Sequence, residues 1–175
     1  MFEKFLKYVN YDKSASYGSA QDFINDMSGK SFLDGMYRFF AKDQLEKWTD
    51  IVERTFQKYK DNIIIFAYDW LGRVFAVNKQ TGKVLLFEPG TGEVLNIPVN
   101  IHDFHEEEIV DYSEDSLASA FFEKWFEANG RFVLPNNKCA GYKIPLFLNG
   151  DDTIENLEVS DMEVYWEIMM PLINA

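Results

Sequence analysis

Between Asn62 and Ile97 the chain reads as a series of short extended runs, each closed by turn residues, and this constrains the fold class most tightly. Asn62 to Tyr68 is rich in β-branched and aromatic residues. Val74 to Val77 follows a turn at Gly72, and Thr81-Gly82 joins it to Val84-Leu85-Leu86-Phe87. Glu88-Pro89-Gly90-Thr91-Gly92 then turns the chain into Val94 to Ile97. Three or four antiparallel strands in a meander are expected. The G-x-G at Gly90 and Gly92 lies between two strands with no helix start behind it, so it reads as a hairpin turn rather than a nucleotide loop.

Such a meander needs helices to cover it. Phe2 to Val9 places Phe2, Phe5, Leu6 and Val9 on one side of a short helix, and a second short helix is expected around Gln21 to Met27. Gly29 and Gly35 bracket a turn into an extended piece ending near Arg38; Gly29-Lys30-Ser31 lacks the first glycine of a phosphate loop. From Asp43 to Tyr59, Leu45, Trp48, Ile51, Val52 and Phe56 recur at helical spacing, with Asp43 and Glu46 as its expected cap. A further helix is expected from Glu114 to Ala128, capped by Ser113, facing the core with Leu117, Ala118, Phe121, Trp125 and Phe126, and ended by Asn129-Gly130. Phe132 to Lys138 reads as irregular.

The last segment reads as strand, turn, strand, helix. Ile144 to Leu148 is the first strand, Asn149-Gly150-Asp151-Asp152 the turn, and Asn156 to Val159 the second strand. Ser160 and Glu163 form the expected capping box of a helix that aligns Met162, Tyr165, Trp166 and Met169. The class is α+β: an antiparallel β meander packed against helices, with this C-terminal element. Residues 1–100 and 101–175 are expected as two portions packed into one globule.

With 47% hydrophobic residues in 175, the chain can bury a sizeable core. Its single cysteine, Cys139, excludes an internal disulfide and fits a reducing compartment. Charges interrupt Met1 to Lys7 too often for a signal-peptide core, and no apolar run is long enough for a membrane helix, so a cytoplasmic protein without membrane contact is expected. Residues 1–83 carry 13 Lys/Arg and 11 Asp/Glu, whereas residues 84–175 carry 4 and 18, a balance of -14. From Glu88 to Asp115 there are nine acids and no Lys or Arg. Such a surface repels phosphate backbones and attracts basic partners, so direct nucleic-acid binding is disfavoured; solubility alone is the plainer explanation of any one run.

Catalytic signals are sparse. His102 and His105, with carboxylates beside them, could serve a metal-dependent hydrolase, but the H-E-x-x-H order is absent and a polar cluster at a helix start is the simpler reading. Cys139 has no histidine near it in sequence and reads as a small buried hydrophobe. The spacing of Asp151 and Asp152 does not match a calcium loop. Asp69 and Arg73 could belong to a site, but an ion pair holding a strand end is the simpler reading. No cofactor or metal is expected.

Three stretches resemble a known bacterial family: F-A-Y-D-W-L-G-R-V-F-A-V (Phe66 to Val77), F-E-P-G-T-G-E-V (Phe87 to Val94) and Gly141 to Trp166. They are similar to the GAD-like domain and the C-terminal domain of type VI secretion immunity proteins, and the terminal pattern also looks like the SUKH immunity superfamily. Where the family's turn often carries G-G-K-D, this chain has Asn149 to Asp152, without the lysine. The resemblance implies a cytoplasmic, non-enzymatic antitoxin that binds and neutralises a cognate protein toxin, a nuclease, and the acidic balance of the second half agrees with it; no catalytic residue is carried over. The acids Asp103, Glu106, Glu107, Glu108, Asp111, Asp151, Asp152 and Glu155 are then the candidate toxin-binding residues. The competing expectations are a non-catalytic regulatory scaffold and the His102/His105 hydrolase.

Overall fold

The computed structural model describes residues 1–11 and 14–175. Its centre is a six-stranded antiparallel sheet in strict chain order: β1 (Ser31–Phe32), β2 (Tyr37–Phe39), β3 (Ile63–Asp69), β4 (Val74–Asn78), β5 (Val84–Glu88) and β6 (Glu93–Ile97). The meander is as expected, extended at one edge by the β1–β2 hairpin. Strand periodicity sends alternate side chains to opposite faces. Tyr37, Phe39, Phe75 and Leu86 build one core, while Val74, Ala76, Leu85 and Phe87 build the other. A bulge at Phe66 shifts the phase of β3, so that Ile63, Ile65 and then Tyr68 all face the second core.

Helices cover both faces. Over the first lie α1 (Glu3–Tyr8), α2 (Ala20–Met27) and a helix made of α4 (Ile101–Asp103), a π turn (Phe104–Glu108) and α5 (Ile109–Asp111). Over the second lie α3 (Leu45–Thr55) and α8 (Met162–Ile173). The helices α6 (Ser113–Leu117) and α7 (Ser119–Ala128) pack around Trp70 at the end of the sheet. A separate antiparallel pair, β7 (Lys138–Tyr142) and β8 (Leu157–Asp161), is tied to the sheet end by the Ala140 N–H, which donates to the Trp70 carbonyl at 2.7 Å. Among the described residues no helix is long and apolar enough to cross a membrane.

Several local expectations are corrected. Ile144 to Leu148 is not a strand: Pro145 cannot donate to a ladder. The Asn156 side chain instead bonds both the N–H and the carbonyl of Ile144, at 3.0 and 2.8 Å. Leu146–Leu148 is a short 3-10 turn. The strand that pairs with β8 is Lys138–Tyr142, where small residues fit a crowded site. A Cβ on Gly141 would lie 2.8 Å from the Tyr165 ring, and one on Gly90 2.5 Å from the Tyr142 ring.

The α8 cap is Asp161, which accepts from the Val164 N–H at 3.1 Å, rather than Ser160; pairing of Lys138 with Asp161 keeps Ser160 in the strand. Asp43 does not cap α3, which follows a 3-10 turn at Lys42–Gln44. The helix expected at Glu114–Ala128 is two helices, broken where Ala118 takes φ 51°. The break frees carbonyls for other donors: Leu117 accepts from the Trp70 indole N–H at 2.9 Å, and Ser116 from Arg73 at 3.2 Å. Glu114, rather than Ser113, then caps α7, accepting from the Ala120 N–H at 2.6 Å. Phe121 packs against the core as expected, and its neighbour Phe122 is the more deeply buried of the two.

Candidate binding surface

The predicted acids fall in two groups on different elements. Asp103, Glu106, Glu107, Glu108 and Asp111 lie along the helix over the first face, and Asp151, Asp152 and Glu155 lie in the segment joining β7 to β8.

Half of these carboxylates are used inside the fold. Asp103 accepts from Asn100 and meets His102, both at 2.9 Å, and the His102 contact holds its carboxyl below the usual range. Glu106 accepts the Phe5 N–H at 3.1 Å and so serves the first turn of α1. Asp111 sits 4.0 Å from Lys4. Asp152 accepts from the Tyr142 hydroxyl at 2.6 Å. The carboxylates of Glu107, Glu108, Asp151 and Glu155 have no hydrogen-bond or ion-pair partner among the described residues. These four are free to meet something else.

The two histidines do not converge. His105 is fully buried among Phe2, Phe5, Phe23, Phe39, Phe66 and Phe104. Its Nδ1 lies 2.7 Å from the Ile101 carbonyl, which can only accept, so Nδ1 carries the proton and Nε2 accepts from the Tyr37 hydroxyl at 2.9 Å. Burial lowers its pKa to about 3, and both nitrogens are engaged. His102 is half-exposed and turned to Asp103. Among the described residues no group of three His, Cys, Asp or Glu side chains is placed to hold a metal ion. The Cys139 thiol, buried beneath Tyr165, is pushed up to about 12 by that burial, away from the thiolate form a nucleophile needs.

The Asp69–Arg73 pair is structural, as expected, and larger than the sequence suggested. Asp69 is fully buried; Oδ2 meets Arg73 at 2.6 Å, and Oδ1 accepts the Leu71 and Arg73 N–H groups at 3.0 Å. Arg73 also reaches Glu88 at 2.9 Å. Burial opposes the Arg73 charge, and the two carboxylates more than offset it, so the guanidinium holds its proton more tightly than free arginine does.

Arg38 escaped the sequence reading. Fully buried, it donates to the carbonyls of Pro135 and Lys138 at 2.7 Å and of Asp69 at 2.9 Å, and lies over the Tyr68 ring. Its signal is an arginine amid the apolar run Met36 to Phe40, where a side chain must point inward. Beside it, a groove of about 270 Å3 is lined by Phe40, Trp48 and Tyr68, with Lys47 and Glu163 paired at 2.6 Å at its edge.

The fold is similar to that in the crystal structure of Atu4351 from Agrobacterium tumefaciens. The two share 16% of residues at a TM-score of 0.66, over 97% of this chain and 88% of that one. At this identity the likeness is one of fold. No protein-family model matches the chain, and no curated protein matches it.

Proposed function

We propose that this chain is an immunity-type binding protein, of the kind its three motifs resemble, that silences a basic protein toxin by covering it with an acidic surface. A nuclease is the fitting class of toxin. A site that grips phosphate is cationic, and carboxylates on an inhibitor complement it and steer association. The observation that carries the reading is the set of four carboxylates, Glu107, Glu108, Asp151 and Glu155, that the fold itself does not use. They sit in a half of the sequence with 18 acids against 4 basic residues.

The test is co-expression with the protein encoded by the adjacent open reading frame, followed by association kinetics over a range of salt. The expected result is rescued growth, a stable complex, and an association rate that falls steeply with ionic strength and falls again in Glu107→Gln/Glu108→Gln. Rescue without a complex, or a rate indifferent to salt, would count against it.

A further inference from the structure

We infer that the outward face of α8 is the apolar centre of a docking surface for a basic protein, an inference that rests on the binding reading above and names where the partner seats; Glu107 and Glu108, on the helix over the opposite sheet face, act on that partner through long-range steering. A helix that shields a sheet ordinarily turns polar residues to water. This one is apolar on both sides. Met162, Tyr165, Trp166 and Met169 are buried against the sheet, while Val164, Ile168 and Leu172, spaced four residues apart along the opposite side, are 55%, 55% and 39% exposed. Phe147 and Ile173 close around Gly92 on the sheet side and pack against the core there, so the exposed stripe is that of Val164, Ile168 and Leu172.

Charge selects the occupant. From Cys139 to Ala175 there are seven acids and one basic residue, Lys143, whose ammonium is already bonded to the Glu155 carbonyl. Glu163 and Glu167 precede Val164 and Ile168 along the helix; each meets one cation of α3, and their side chains remain 46% and 45% exposed. An apolar stripe edged by half-exposed ion pairs has the layout of a protein interface, apolar in the middle and polar at the rim. A second copy of this chain, also at -12, brings like charge to that rim, whereas a basic protein brings the complement.

The experiment uses the full chain, its Ile168→Glu, Val164→Glu and Ile168→Leu variants, and, as probe, the catalytically disabled product of the adjacent open reading frame. Titration calorimetry gives Kd, and circular dichroism melting checks that each variant folds; exposed positions leave the melt unchanged. Both Glu variants are expected to weaken binding by about tenfold or more, with Ile168→Leu close to wild type. If both Glu variants melt normally and bind with the wild-type Kd, the surface is misassigned while the immunity reading stands. If the wild-type chain fails to bind the probe at all, the immunity reading falls, and this occupant with it. Self-association by sedimentation that Ile168→Glu abolishes would replace the basic partner with a second copy and overturn the assignment.

Discussion

Two buried polar centres sit at the sheet and are built on opposite principles. On the first face, His105 is a neutral imidazole in a box of phenylalanine rings, satisfied by one carbonyl and one hydroxyl. Among the described residues no carboxylate is placed there to compensate a positive charge. At the end of the sheet, Asp69, Arg73 and Glu88 are an ionic cluster in which two carboxylates surround one guanidinium and backbone groups take the remaining bonds. The difference teaches what a core tolerates: a charge survives burial where its counter-charges are buried with it, and otherwise the group stays neutral.

The comparison breaks most visibly at Asp69. Replacing it with alanine strips Arg73 of its closest carboxylate and orphans the N–H groups of Leu71 and Arg73 in the β3–β4 turn. Denaturant unfolding is expected to show a loss of about 3–5 kcal/mol, the range for one partner removed from a buried pair. Adding Arg73→Met is expected to recover part of that loss. A double variant that is worse by the full sum of the singles would mean that the ions are not coupled.

His105 gives the second effect, and it depends on pH. Its folded pKa, about 3, lies below its ordinary 6.5, so between these values the unfolded chain binds the extra proton. The sign follows: the contribution is fully present above about pH 6.5 and is lost as pH falls towards 3. The full difference is on the order of 5 kcal/mol. His105→Gln, which cannot charge, is expected to lose stability less steeply than wild type across that window, with parallel curves above pH 7. Parallel curves throughout would show that the imidazole escapes to water before it protonates.

How far the sequence foretold all this follows from how local each cause is. The strands from Ile63 to Ile97 were legible to within a residue or two, because period-two patterning and turn residues are written side by side. Lys138–Tyr142 was illegible as a strand: Gly141 is fitted beneath the Tyr165 ring, and Cys139 and Ala140 are small residues buried in opposite cores, so none carries a β-propensity signal. The Ser160 cap failed because strand pairing with Lys138 outranked a local signal. Among the acids, the sequence located the charge but not its use. That Glu106 serves α1, 101 residues away in sequence, is a property of packing.

The same packing sets the smallest effect and completes the contrast. Ion pairs also link α3 to α8, Lys47 to Glu163 at 2.6 Å and Arg54 to Glu167 at 2.8 Å, with geometry as close as that of Asp69 and Arg73. Their side chains are nearly half exposed, so water and salt screen them, and holding two long side chains costs entropy. Arg54→Gln is therefore expected to cost less than about 1 kcal/mol in low salt and almost nothing in roughly 1 M salt, where the screening length falls to about 3 Å. Asp69→Ala is expected to keep its penalty in both. Equal salt sensitivity of the two variants would show that burial is not what separates them.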